Sequence, residues 1–187
     1  MEKFGLLGER LGHSFSKEIH EAFFKIIGKE AKYDLIEKKF SEIPSFLEEM
    51  KAGKYKGLNV TIPYKVEIMQ YLDEITPIAK EIGAVNTVTF KDGRLIGDNT
   101  DYYGFLKNIE IEGKKVLILG TGGAARAVYN VLADKKAEQI YIATILENDV
   151  FKVRKYDRLL NYSEIRNIRN ISLIVNCTPV GMYPEIN

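Results

Sequence analysis

A fully apolar segment followed at once by a glycine-rich turn constrains the fold of this chain more than any other feature. Residues 115–119 read KVLIL, which is typical of a strand buried on both faces of a parallel sheet. The turn GTGGAA at 120–125 comes next, and a helix with an apolar stripe follows. Such glycines permit a tight bend and a close approach of the backbone to a pyrophosphate, which the helix N-terminus then faces. The pattern predicts a dinucleotide-binding unit.

The residues before this unit alternate between strand-like and helix-like segments. Apolar runs predict strands at 4–8, 33–36, 58–62, 84–90 and 95–97. Helices are predicted over the stripe Ile19, Phe23 and Ile26, after Ser41 as an N-cap, and from Pro77 to Gly83. Asp92-Gly93 predicts a hairpin between the last two strands. This alternation predicts a mixed, mostly parallel sheet covered by helices, with one domain at 1–103 and a second at 104–187.

Composition and charge exclude several classes of protein. Lys plus Arg number 27 and Asp plus Glu number 26, so we expect neither a nucleic-acid nor a membrane partner. No apolar run approaches the roughly 20 residues of a membrane span. The single cysteine excludes an intrachain disulfide and favours a cytoplasmic protein, which the absence of a signal-peptide pattern also favours. His13 and His20 lack partners at metal-ligand spacing, so no metal site is expected.

Small polar side chains recur at the predicted strand ends of the first domain, where an open α/β sheet places its ligand crevice. They are Ser14 and Ser16; Asn59, Thr61 and Lys65; Asn86 and Thr87; and Asn99, Thr100 and Asp101. Each one taken alone is better explained as a cap or turn residue. Their joint recurrence favours a ligand with many hydroxyl groups.

Lys65 and Asp101 are the pair among these residues that suits proton transfer. Held together in a dry cleft, a lysine and an aspartate perturb each other's pKa and can move a proton to or from a substrate hydroxyl. The competing interpretation is a surface lysine and an ordinary helix N-cap, and Asp101 can serve as both cap and catalyst.

Six segments resemble, in the same order, the motifs of shikimate dehydrogenases. The family motifs are HSxSPxxHN, GxNVTxPxK, GAVNT, GxNTDxxG, GxGGAxR and NxTPxGM. The matching segments here are GHSFSKEIH at 12–20, GLNVTIPYK at 57–65, IGAVNT at 82–87, GDNTDYYG at 97–104, GTGGAAR at 120–126 and NCTPVGM at 176–182. Lys17 stands where the family usually has proline, which affects the turn more than the chemistry.

The resemblance implies the reversible, NADP-linked reduction of 3-dehydroshikimate to shikimate in chorismate and aromatic amino-acid biosynthesis. It implies that Ser14 and Ser16 hold the substrate carboxylate and that Lys65 is the acid/base group, with Asp101 positioning it. Ring hydroxyls would be bound by Asn59, Thr61, Asn86 and Asp101. The implied cofactor-binding residues are Gly120, Thr121, Gly122, Gly123, Ala124, Thr178 and Val180.

The choice between NADP and NAD is open in the sequence. The family's Asn-Arg-Thr segment, which grips the 2′-phosphate of NADP, appears here as roughly Ala143-Thr144-Ile145. NADP remains the expected cofactor, with Lys152 or Arg154 as a compensating cation, and NAD is the alternative. An acidic residue at the end of the second strand would favour NAD, but Glu147 can equally be a solvated loop residue, and Lys152 and Arg154 can equally be surface charges. The missing arginine makes an NAD-preferring quinate/shikimate dehydrogenase a competing interpretation.

The distance from the last motif to Asn187 predicts an incomplete Rossmann domain. The resemblance implies further strands, a glutamine-bearing substrate helix and terminal helices, so we expect a C-terminally truncated chain. A second alternative follows, a truncated module that holds a shikimate-like ligand without turnover. An open sheet edge would also favour pairing with a second copy in a homodimer.

Overall fold

The computed structural model describes residues 1–107, 109–146 and 151–182, and its contacts divide the chain into two compact units, Met1–Thr100 and Asp101–Asn187. The helices are α1 (Ser16–Ile26), α2 (Ile43–Lys51), α3 (Pro77–Ile82), α4 (Thr100–Leu106) and α5 (Gly123–Asp134). The strands are β1 (Glu2–Gly8), β2 (Ala31–Glu37), β3 (Gly57–Val60), β4 (Glu74–Ile75), β5 (Thr87–Lys91), β6 (Arg94–Asp98), β7 (Lys115–Leu119), β8 (Gln139–Thr144), β9 (Arg158–Asn161) and β10 (Leu173–Asn176). Three 3₁₀ helices cover Phe40–Glu42, Glu67–Tyr71 and Tyr162–Asn167.

The first unit contains a six-stranded mixed sheet in the order β2-β1-β3-β5-β6-β4. Strand β1 pairs in parallel with β2 and β3, whereas β5 pairs antiparallel with both β3 and β6. Asp92 and Gly93 both have positive φ, as the predicted hairpin turn requires. The prediction of a mixed sheet with one antiparallel hairpin is confirmed.

Alternation along β1 supplies both faces of this sheet with core residues. Leu7 is buried in the larger cluster with α2, whereas Leu6 is buried on the other face with Phe24 of α1 and with Tyr33. The helix predicted at α1 is present, but its stripe is exposed: Ile19 is 63%, Phe23 53% and Ile26 82% accessible. Within the first unit α1 therefore packs on the sheet through Phe24 and His20 and not through the predicted stripe.

The predicted start of α2 is wrong. Ser41 lies inside the 3₁₀ helix Phe40–Glu42, and α2 begins at Ile43 with proline in its first turn. Proline fits there because its fixed φ suits a helix and the first turn needs no amide donor. The carboxylate of Glu42 accepts a hydrogen bond from Lys39 N at 2.8 Å, so the preceding turn is closed by Glu42.

The second unit contains a four-stranded parallel sheet in the order β10-β7-β8-β9. Helix α5 packs on one face, where Val128 and Leu132 meet Val116, Ile118 and Ile140 in one buried cluster. The described part of the crossover from β8 to β9, residues 145–146 and 151–157, includes no helix. The predicted α/β class with a Rossmann-type second unit is confirmed. None of the helices in the described ranges has the length and apolar character of a membrane span.

Candidate active site

Several of the polar residues predicted from the sequence lie at one end of the first unit's sheet, where β3 ends and β5 begins. Asn59 lies in β3, Thr61 follows that strand, and Asn86 precedes β5. Backbone bonds tie these segments together: Val60 N donates to Asn86 O at 2.7 Å, and Thr61 N donates to Leu7 O at 2.9 Å. The turn that carries Lys65 lies at the same end of the sheet, because Lys65 O accepts a hydrogen bond from Val85 N at 2.7 Å.

The amide group of Asn86 is fixed by three donors. Its Oδ1 accepts from Thr100 N at 2.8 Å, from Thr100 Oγ1 at 3.1 Å and from Thr87 Oγ1 at 2.9 Å. With the oxygen so occupied, the Nδ2 group is the part of this amide left to donate to a ligand. Thr87 and Thr100 therefore act on the site through Asn86.

The amide group of Asn59 is oriented by Tyr33, a residue that the sequence motifs did not single out. Tyr33 OH donates to Asn59 Oδ1 at 2.7 Å, and Tyr33 is only 1% accessible. The His20 ring stacks on the Tyr33 ring, with centroids 4.1 Å apart and planes 12° apart. Burial raises the pKa of Tyr33 well above its usual range, so its hydroxyl stays a donor at physiological pH.

The two serines of the first motif adjoin each other in the loop before α1. Ser14 Oγ donates to Ser16 Oγ at 3.1 Å and accepts from Ser16 N at 3.2 Å. Both side chains are partly accessible. Adjacent hydroxyls of this kind suit the two oxygens of a carboxylate.

Asn99 lies outside the group of residues that can contact a ligand. Its side chain is fully buried, and Nδ2 donates to Ala84 O at 2.9 Å. Asp101 lies in the first turn of α4, which begins at Thr100, so the expectation that Asp101 caps this helix is wrong. Both Lys65 and Asp101 are partly buried. Asp101 belongs to the second unit, and its pairing with Lys65 stays a prediction.

The glycine turn of the second unit has the geometry that a nucleotide phosphate requires. Gly120 has φ +95°, and a Cβ there would lie 3.0 Å from Thr178 Cγ2, so glycine is needed at this position. A Cβ on Gly122 would meet no described atom within 4 Å, which leaves its backbone open to a ligand. Among the described residues no side chain caps the N-terminus of α5, so its first amides can bind an anion.

The loop after β10 lies beside this turn, as the contact of Gly120 with Thr178 shows. Asn176 organises the loop: its Oδ1 accepts from Thr178 N at 3.0 Å and from Thr178 Oγ1 at 2.7 Å, and its Nδ2 donates to Val180 O at 2.9 Å. The structure thus brings together the two groups of predicted cofactor-binding residues, 120–124 and Thr178 with Val180.

The end of β8 carries no cation in the described residues. Ala143 and Thr144 are buried within the strand, so the exposed side chain at its end is Ile145, which is 80% accessible. Arg154 is held by the fully buried carboxylate of Asp157, with Nε to Oδ2 at 2.7 Å. Lys152 is exposed. Glu147, the candidate acidic residue, lies outside the described residues.

The Arg154–Asp157 pair has a structural role. Arg154 also donates to the carbonyl of Ala133 at 3.3 Å, and Asp157 accepts from Tyr129 OH at 2.9 Å and from Ile140 N at 2.8 Å. Burial disfavours the charged guanidinium, but the bonds to Asp157 outweigh it and raise the pKa of Arg154. Arg154 therefore secures the crossover from β8 to β9, and the expectation that it compensates for a missing phosphate ligand is wrong.

Comparison with known proteins identifies the family of this chain. The family profile described as the shikimate dehydrogenase substrate binding domain matches residues 6–88. Shikimate dehydrogenase (NADP(+)) of Clostridium perfringens is 44% identical over 194 residues, an alignment that covers 100% of this chain and 72% of the relative. The chain belongs to the shikimate dehydrogenase family.

Solved structures of shikimate dehydrogenases have the same fold. Shikimate dehydrogenase 1 from Peptoclostridium difficile is 42% identical and matches with a TM-score of 0.92, over 98% of this chain and 70% of that chain. The Thermus thermophilus shikimate 5-dehydrogenase in complex with NADP(H) and shikimate is 33% identical, with a TM-score of 0.82 over 97% of this chain and 70% of that chain. The family resemblance drawn from the six motifs is confirmed.

Proposed function

We propose that the chain is an NADP-linked shikimate dehydrogenase that reversibly reduces 3-dehydroshikimate to shikimate. The observation that carries the proposal is the fixed orientation of two asparagine amides where β3 ends and β5 begins. Asn59 and Asn86 each have Oδ1 bound within the protein, so both offer NH₂ donors to hydroxyl oxygens of a ligand. The expectation of an NADP-dependent oxidoreductase is confirmed by relatives that carry this activity in their names.

Substrate binding is assigned to the first domain, residues 1–103. Ser14 and Ser16 would hold the carboxylate, and the ring hydroxyls would be bound by Asn59, Thr61, Asn86 and Asp101. Two observations support this assignment. Backbone bonds join the end of β3 to the start of β5, and the hydroxyls of the two serines lie next to each other. Neutral donors and acceptors around a ring with several hydroxyls give specificity, because an analogue that lacks one hydroxyl leaves a buried partner unpaired.

Proton transfer is assigned to Lys65, with Asp101 as its partner. In the oxidative direction Lys65 Nζ would take the proton of the reacting hydroxyl while the hydride leaves the same carbon, and in reduction it would return that proton. Asp101 would orient the ammonium group and favour its charged form. The motifs support this role, because 57–65 and 97–104 resemble the family segments GxNVTxPxK and GxNTDxxG, which carry this lysine and this aspartate.

Nucleotide binding is assigned to the second domain, residues 104–187. The open backbone at Gly122 and the uncapped N-terminus of α5 fit a pyrophosphate, so 120–124 would hold the phosphates. Thr178 and Val180 would contact the cofactor from the loop after β10. A dinucleotide held there would supply or accept the hydride, and the contribution of these residues would be to align it with the substrate.

An NAD-preferring quinate/shikimate dehydrogenase is the second candidate function. Ile145 favours it, because this exposed apolar side chain stands at the end of β8, where an arginine would bind a 2′-phosphate. Lys152 is the remaining cation of the two that the sequence suggested.

Two broader assignments complete the proposal. We place the chain in the cytoplasm, in keeping with a sequence that has a single cysteine, Cys177, and so cannot form an intrachain disulfide. We also propose a homodimer that forms through a sheet edge: among the described strands β10 pairs only with β7, and Ile174 on it is exposed. Light scattering of the purified chain would give a mass near twice 21.3 kDa for the dimer.

The function is tested by following nicotinamide absorbance while the chain is supplied with shikimate and either NADP or NAD. Turnover with NADP supports the proposal, and faster turnover with NAD selects the second candidate. Calorimetry on the same sample covers the remaining case, since shikimate binding without turnover indicates a non-catalytic shikimate-binding module. A folded chain that neither binds shikimate nor turns it over would contradict every one of these assignments.

A further inference from the structure

We infer that Tyr33, held by His20, is a positioning residue of the substrate site that sets which end of the Asn59 amide faces the ligand. This inference deepens the proposed function and rests on it. Among the described residues, the hydrogen bond from Tyr33 OH at 2.7 Å is the one bond that the Asn59 side chain makes. The orientation of this amide therefore depends on a single partner.

The direction of that bond determines what Asn59 can recognise. A carboxamide has an acceptor end and a donor end of nearly the same shape, and a rotation exchanges them. With Oδ1 bound to Tyr33, the two Nδ2 hydrogens remain for a ligand oxygen. Without the Tyr33 hydroxyl, Asn59 can present either end, so only part of its population matches a ligand that needs a donor.

The surroundings of Tyr33 keep its hydroxyl in place. Tyr33 is buried beside Leu6, Leu11 and Phe24, and the His20 ring covers one of its faces in a parallel stack. Such packing leaves the phenol ring little freedom, so its hydroxyl lies at a fixed point opposite Asn59. Asn86 receives the same kind of restraint from three donors, whereas within the part of the chain that the structure describes Asn59 receives it from Tyr33 alone.

His20 connects the Tyr33–Asn59 pair to the two serines. Its Nδ1 lies 2.7 Å from Ser16 O, and since a carbonyl oxygen only accepts, Nδ1 carries the proton. The same Ser16 is bonded to Ser14 through its hydroxyl and its amide. A continuous series of contacts thus runs from Ser14 and Ser16 through His20 and Tyr33 to Asn59. It fixes the spacing between the groups proposed for the carboxylate and those proposed for a ring hydroxyl.

A double-mutant cycle tests the inference, with shikimate titrated calorimetrically into Tyr33→Phe, Asn59→Ala and the double variant. Loss of the hydroxyl should weaken shikimate binding by about tenfold, the usual effect of one lost polar contact. Tyr33→Phe should add no further loss once Asn59 is alanine, because its effect passes through that amide. In turnover assays KM should rise by a similar factor while kcat changes less.

Tyr55→Phe is the matched control, since it removes another buried phenol hydroxyl from the same unit. Tyr55 OH donates to Asp34 Oδ2 at 3.1 Å, a group with no proposed substrate role, so shikimate affinity should stay at the wild-type value. Asn59→Asp gives a second test that leaves Tyr33 intact. A carboxylate still accepts from Tyr33 but cannot donate to the substrate, so binding should weaken by at least about tenfold.

Two results would overturn the inference. One is wild-type shikimate affinity in Tyr33→Phe or in Asn59→Asp. The other is an equal loss on Tyr33→Phe with and without Asn59, which would reduce Tyr33 to a core residue. Failure of the proposed function gives a different result, because the unmodified chain would then bind no shikimate at all.

Discussion

The two units of this chain prepare their ligand sites in opposite ways. In the first unit the candidate groups are side chains, and Ser14, Asn59 and Asn86 are each held by hydrogen bonds to neighbouring side-chain or amide groups. In the second unit the candidate groups are mainly backbone amides at Gly122 and at the start of α5, where the absence of side chains provides the space. A substrate with several distinct hydroxyls needs the first arrangement, and a pyrophosphate needs the second.

This difference determines how each unit should respond to substitution. Removal of one side chain from the first unit should affect substrate binding selectively, because the proposal assigns each of these groups its own ligand atom. In the second unit, adding atoms to the glycine turn should be harmful, whereas most side chains near it serve the fold.

Replacement of Lys65 by alanine should have the largest effect. Loss of a general acid/base group typically lowers turnover by about 10²- to 10⁴-fold, while shikimate affinity should change much less. Steady-state assays together with calorimetry measure both quantities. Lys91→Ala, at an exposed position in the hairpin, is the control and should retain the wild-type rate. An unchanged rate in Lys65→Ala would remove this lysine from the mechanism.

Arg154→Ala should destabilise the second unit without changing cofactor preference. It leaves the fully buried carboxylate of Asp157 without its cation, which typically costs about 3 kcal/mol of the free energy of unfolding. Urea denaturation measures this change, with the exposed Lys152→Ala as the control that should leave stability unaltered. If Arg154→Ala kept its stability but lost affinity for NADP relative to NAD, the structural role given to Arg154 would be wrong.

Gly122→Ala should weaken NADP binding while the chain stays folded. Its added Cβ meets no protein atom within 4 Å, so the methyl group would occupy space that the phosphates need. Loss of one charge-assisted hydrogen bond corresponds to a decrease in affinity of about tenfold or more. Fluorescence titration of NADPH measures this affinity. An unchanged value would show that the pyrophosphate does not approach this turn.

Ile145→Arg should shift preference towards NADP. An exposed arginine at the end of β8 can pair with a 2′-phosphate that NAD lacks, so the ratio of the two affinities should move by roughly tenfold. Titration with both dinucleotides measures the ratio, and Ile145→Gln controls for the longer side chain. No change in the ratio would place the 2′-phosphate away from Ile145.

Much of the fold was predictable because its signals are local and strong. The buried strand β7, the glycine turn and the Asp92-Gly93 hairpin each follow from a few residues whose conformations leave little choice. Strands β4 and β9 were missed because β4 is only two residues long and β9 joins two leucines to polar ends, so neither shows a periodic pattern. Strand pairing, which is set by tertiary contacts, defines both of them.

The candidate site was predictable in its ligand-facing residues and not in their supports. The motifs named Asn59 and Asn86, whereas Tyr33 gave no signal, since an aromatic residue in a strand is usually part of the core. For Arg154 the sequence predicted a ligand contact where the structure has a supporting residue. A cation near the end of β8 suggests phosphate binding, but Asp157 binds this guanidinium. Which polar groups are already paired is a three-dimensional property that spacing along the chain does not contain.

The contrast between the two units is tested most directly by titrating both ligands into Asn59→Ala and Gly122→Ala of the full chain. The account predicts that Asn59→Ala loses shikimate affinity and keeps NADP affinity, and that Gly122→Ala shows the opposite pattern. If either variant, still folded, lost both ligands to the same degree, the assignment of separate substrate and nucleotide sites to the two units would be contradicted.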